Sequence, residues 1–271
     1  MTTMKRMMVV MVVAAMSFGF FTTHIQAASE STIAVSNMIG TGFTTLISGL
    51  INGRVKSIGD GLEMFLYGGA AGYGFYQSKK LVANGSIPLG MVLANLSASV
   101  SENAAMKENP LAYINLTWAF ARVRIATPLA SNARSTIGID ISSREVVNLA
   151  LSIANSDKVS FRDGMLSFES TNMYRNALGW NRGMFATTVT GTPEMVYRHE
   201  MVHVVQNMQL SSQNFYEPFL NFESREEEGR NFFSFQGLRV DAMGIANDLL
   251  MGLQSYESQW KEVEAYHFSG R

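Results

Sequence analysis

The sequence contains no cysteine. That excludes disulfides, a thiol nucleophile, thiolate-ligated zinc and a lipid-modified cysteine anchor. Charge is also scarce, at 16% of residues, and nearly balanced, with a formal net charge of −1. Nothing in that balance predicts nucleic-acid binding. There is no clean run of about twenty strongly apolar residues, the length a membrane-crossing helix needs. Histidine is rare, with four in the chain. The 271 residues, 47% of them hydrophobic, suffice for a sizeable core in one large domain or two small ones.

Residues 1–28 read as a secretory signal. Lys5 and Arg6 give the positive start, residues 7–21 the apolar stretch, and the Ala27-Ala28 region the cleavage site. An exported chain without disulfides must be held by its core and by any metal it binds. The expected destination is the periplasm or the exterior of a bacterial envelope.

Residues 29–118 are rich in Gly, Ala and Ser, and residues 31–53 carry no charge. Helices are expected over 62–81 and 89–100, the second entered at Pro88. Gly68, Ala70, Gly72 and Gly74 form a small-residue stripe that permits close helix approach. Two readings of 31–118 stand: a soluble, tightly packed helical layer, which is preferred, and a membrane-associated unit.

Residues 119–190 change period. Ala121, Val123 and Ile125 alternate with polar neighbours. So do Ile137, Ile139 and Ile141, and again Val147, Leu149, Leu151 and Ile153. Period two predicts half-buried strands. Asn155-Ser156-Asp157 and Arg162-Asp163-Gly164 mark turns between them. The expectation is an antiparallel β-meander ending at 185–190, with that strand or a neighbour free to pair with extended substrate. From Pro193 to residue 268 the chain is expected to be mainly helical. The fold class is therefore α+β: an N-terminal helical layer, a central antiparallel sheet, and C-terminal helices.

Within the last part lies His199-Glu200-Met201-Val202-His203, in an apolar, proline-free run after Thr192-Pro193, a good helix start. On a helix, positions four apart share a face, so His199 and His203 can point two imidazoles at one cation. Glu200 can then reach a water on that cation without ligating it.

The segment resembles the active-site helix of the zincin metallopeptidases, with its His-Glu-x-x-His pattern. The resemblance implies zinc as cofactor, His199 and His203 as ligands, Glu200 as general base, and a peptide or protein substrate. The glycine and third histidine of the metzincin extension are absent; Gln206 and Gln209 stand in that neighbourhood. A gluzincin-like pattern, with a downstream glutamate as third ligand, is the closer resemblance.

Two glutamates compete for that role. Glu264 lies in Glu262-Val263-Glu264-Ala265-Tyr266-His267-Phe268, similar to the second motif of several gluzincin-like families. Its apolar neighbours suit a buried ligand. Glu223 has the spacing seen in thermolysin-like enzymes, but the charged run around it reads as a solvated face. Glu264 is favoured. Glu262 is a weaker third option, turned about 200° from Glu264 on a helix and so unable to share its site. Tyr266, Tyr197, Tyr216 and His267 are unranked oxyanion donors. Gln206 and Asn207 stand one turn past His203, placed to orient an imidazole.

Overall fold

The structure is a computed structural model, and it describes residues 29–130, 135–171, 177–212, 231–239, 245 and 260–269. The signal segment 1–28, Glu223 and Tyr216 lie outside the described residues.

Three helices come first: α1 (Glu30–Ile51), α2 (Ile58–Ala83) and α3 (Ile87–Ala105). Ser29 caps α1 by accepting the Thr32 amide. Ser57 and Asp60 cap α2 reciprocally, and Pro88 sits in the first turn of α3. The small-residue stripe acts as its spacing predicts. A Cβ on Gly72 would overlap the backbone oxygen of Asn37 on α1. One on Gly68 would stand 2.8 Å from the Thr41 carbonyl oxygen, and one on Gly74 would collide with Ser97 of α3. Ala70 instead faces outward. Gly72→Ala gains helix propensity but forces α1 away, so the expected net loss is about 1–3 kcal/mol, read by urea unfolding.

The α+β class holds, but the sheet is not one antiparallel meander. The described residues form two four-stranded mixed sheets. The first, in the order β1-β2-β3-β8, joins β1 (Tyr113–Trp118), β2 (Ala121–Ala126), β3 (Ser135–Ser142) and β8 (Asn231–Arg239), with β8 parallel to β3. The second, β4-β5-β7-β6, joins β4 (Lys158–Arg162), β5 (Met165–Ser170), β7 (Phe185–Val189) and β6 (Gly179–Arg182), with β5 parallel to β7. Asp163 and Gly164, at φ 51° and 81°, close the two-residue β4–β5 hairpin that Asp-Gly announces.

Two local expectations fail for physical reasons. The alternating run through Ile153 is not a strand but α4 (Ser143–Ala154). Ser142 caps it through the Glu145 amide, and a run as dense in Val, Leu and Ile as this one fits either period. Residues 231–239 are strand rather than helix, as three phenylalanines in four positions favour. Of the strands expected to offer a free edge, β7 lies between β5 and β6, and among the described residues its neighbour β6 is the edge.

Two further described helices are α5 (Glu194–Ser211), which carries the two histidines, and α6 (Trp260–Ser269). Helix α5 starts one residue after the expected position, with Pro193 at its N-cap. One hydrophobic core joins the helical layer, the second sheet and the later helices: Phe75 and Met91 from the helical layer, Phe168 and Phe185 from the second sheet, Val202 and Val205 from α5, and Ala265 from α6. The helical layer and first sheet are also tied by charge. Arg122 bridges Asp140 at 2.7 Å and Glu102 of α3 at 2.7 Å, while Arg239 of β8 reaches Asp140 at 3.0 Å.

Candidate metal centre

Helix α5 is apolar on nearly every side because it is enclosed by α2, α3, α6 and the second sheet. Val196, Met201, Val202, Val204, Val205 and Met208 are all buried. Against that background His199, Glu200 and His203 are buried polar groups that need partners. The two imidazoles meet edge to face, ring centres 4.8 Å apart and planes at 87°, neighbours on one face as a four-residue helical spacing requires.

The group that meets them is Glu262, from the first turn of α6. Its Oε2 lies 3.3 Å from His199 Nε2 and its Oε1 3.3 Å from His203 Nε2. One ligand atom from each of the three residues falls within 4.8 Å of the others, all three residues being buried. The carboxylate faces both rings at once.

Glu264, the favoured ligand from sequence, points elsewhere. Its carboxylate takes Lys79 Nζ of α2 at 2.8 and 2.9 Å, Asn37 Nδ2 of α1 at 2.7 Å and Gln206 Nε2 of α5 at 2.7 Å. Burial alone would raise its pKa. The ammonium of Lys79 and the two amide donors outweigh burial and hold it below the ordinary glutamate value. Glu262 and Glu264 do occupy different faces of α6, as helical geometry demands, but their roles are exchanged. A buried carboxylate needs a cation; here the cation facing Glu264 is a lysine 185 residues away. Flanking residues do not disclose that.

Gln206 connects the two carboxylate sites. Its amide nitrogen donates to Glu264 and to the Lys261 carbonyl (3.1 Å), which leaves its oxygen facing His203 Nδ1 at 2.7 Å. The proton of His203 is thereby assigned to Nδ1, and Nε2 becomes a bare lone pair. That nitrogen lies within charge contact of Glu262 yet has no hydrogen-bond partner. A buried lone pair set against a carboxylate is repulsive unless a positive charge stands between them. Without an ion a proton takes that place: Glu262 and then Glu200 hold His203 above its ordinary pKa, although burial works against the imidazolium. The residues therefore fit a divalent cation: two imidazole nitrogens and a carboxylate, a donor set that zinc accepts.

Glu200 neighbours this cluster on α5, and a Cβ on Gly179 of edge strand β6 would overlap its carboxylate. The edge strand thus passes directly over the acid. Asn207, the other group expected to orient an imidazole, instead holds the β6–β7 turn through the Gly183 carbonyl (2.9 Å) and receives Lys261 Nζ at 2.7 Å. Among the expected oxyanion donors, the Tyr266 ring packs 4.8 Å from that of His199. Tyr197 turns its hydroxyl to the Arg162 carbonyl, and His267 is exposed.

Sequence reasoning missed the importance of Glu262, Lys79 and Asn37. Glu262 had a signal, since it shares the downstream motif with Glu264. Lys79 and Asn37 had none, because their partners come from the far end of the chain. Compared with known proteins, the chain matches no family model, no curated protein and no solved structure.

Proposed function

We infer that this chain is an exported zinc-dependent metallopeptidase, acting on peptide or protein substrates. The observation that carries the reading is the convergence of His199, His203 and Glu262 beside Glu200. The export rests on the signal-like residues 1–28. A bound zinc supplies a Lewis acid and a water of lowered pKa. His199 and His203 would hold it through neutral nitrogens, and Glu262 through a carboxylate oxygen. Glu200 would accept the proton lost by the attacking water and return it to the leaving amine. Gln206 keeps the proton of His203 on Nδ1, so that Nε2 stays a donor to the metal. Among the described residues three ligands converge, and a catalytic site likewise has three protein ligands and an open position.

The test pairs elemental analysis with hydrolysis of a mixed peptide library, scored by mass spectrometry. About one zinc per chain is expected. Glu200→Gln should retain that metal and lower turnover by roughly 10²–10⁴. A fully active Glu200→Gln enzyme would overturn the mechanism. Bound metal with no hydrolysis by the unaltered chain would leave a stabilising site in an envelope structural or interaction protein.

A further inference from the structure

The helical layer is more polar inside than outside. Thr45 of α1 and Ser101 of α3 meet in the interior at 2.8 Å, and Ser78 of α2 donates there to the Gly90 carbonyl at 2.6 Å. Asn95 is buried and bonded to Met91 and Thr117. The outer surface is the reverse. Over residues 35–50 of α1, 66–73 of α2 and 88–96 of α3, every exposed residue is apolar or aromatic. Phe43 is 51% exposed, Leu66 59% and Val92 54%. Phe43 and Phe65 touch edge to face, so the apolar stripes of α1 and α2 join.

Met64, Phe75 and Ile87 are buried on the inner side, but the large apolar side chains of the outer face gain nothing from folding in water. An apolar solvent on the outer side removes the difficulty, because polar and small residues then pack helices together while large apolar ones face the lipid. Monomers in water seldom expose patches of this kind. The most apolar window of α1 is 44% buried, less than a helix in a water-soluble core would be. Charge is confined to the margins. Glu30 pairs with Lys80 at one end of the layer and Asp60 with Lys107 at the other. Between those ends Lys79 is fully buried against Glu264 and faces inward.

The inner side of the layer is covered by α5 and by β1, so lipid has access to one side only. Arg198 of α5 stands beside Gly85 in the turn between α2 and α3, so it too belongs to a charged end of the layer. We propose that the outer face of α1, α2 and α3 is a bilayer-binding surface that lies in one leaflet, with the charged ends at headgroup level. The proposal is independent of the metal site.

The chain's lack of cysteine makes the test direct. Leu66→Cys and Val92→Cys in the full chain, with Lys158→Cys of β4 as control, each receive a bimane label. The proteins are added to vesicles of phosphatidylethanolamine and phosphatidylglycerol. At the first two positions, iodide quenching should be lost, and quenching by nitroxide-bearing lipid should appear. The Lys158→Cys label should stay open to iodide. Because the labels report on the face itself, anchoring by residues 1–28 alone leaves them open to iodide and overturns the proposal. Protection from both quenchers also overturns it, whether a second copy or another segment of the chain covers the face.

Discussion

Glu262→Ala is expected to release the metal, whereas Glu264→Gln keeps it. Both glutamates are buried on α6 and stand two positions apart, so any general damage to this helix would affect both variants alike. Only Glu262 faces the imidazoles. Removing it leaves two nitrogens and no carboxylate. The loss of affinity should exceed the ~10–100-fold typical of an outer-shell partner. Glu264→Gln cancels the charge opposite Lys79 but retains an amide that can bond Gln206, so metal stoichiometry should hold near that of the unaltered chain. Dialysis against a graded zinc buffer, followed by elemental analysis, measures both. Metal lost from Glu264→Gln and kept by Glu262→Ala would restore the assignment favoured by the sequence.

The second large effect concerns stability. Lys79 is fully buried, and its ammonium is matched by the Glu264 carboxylate, with Asn37 bonding both. Lys79→Met leaves that carboxylate without its cation, and breaking a buried pair from one side costs about 3–5 kcal/mol. Urea unfolding should show that loss, and Lys79→Met combined with Glu264→Leu should recover part of it. The same pair sets an acid limit. Glu264 is held below its ordinary value of 4.5, so its contribution is complete above that pH and disappears as pH falls through the lower, folded-state value. Asp140 acts in the same direction: burial opposes its ionisation, but Arg122 and Arg239 more than compensate. Unfolding midpoints should therefore fall below about pH 4.5, and less steeply in the doubly substituted chain.

Much of this architecture is legible locally. Pro88 and Thr192-Pro193 announce helix starts, and Asp163-Gly164 announces a hairpin, because caps and turns are satisfied by atoms a few residues away. The pairing of His199 with His203 follows from helical pitch alone. What failed was of two kinds. In residues 147–153 the apolar spacing fitted a strand and a helix equally, and the Ser142 cap decided between them. The parallel partners β3–β8 and β5–β7 needed knowledge of which distant strands meet, which no local pattern carries.

The sequence by itself determined the α+β class, helices over residues 62–81 and 89–100, and two imidazoles on one helical face, since each is governed by atoms close in the chain. Only the tertiary structure decided that Glu262 meets those imidazoles while Glu264 meets Lys79. The physical reason is that a buried carboxylate takes its meaning from the positive charge brought opposite it, and that charge arrives through packing between the first helices and the last.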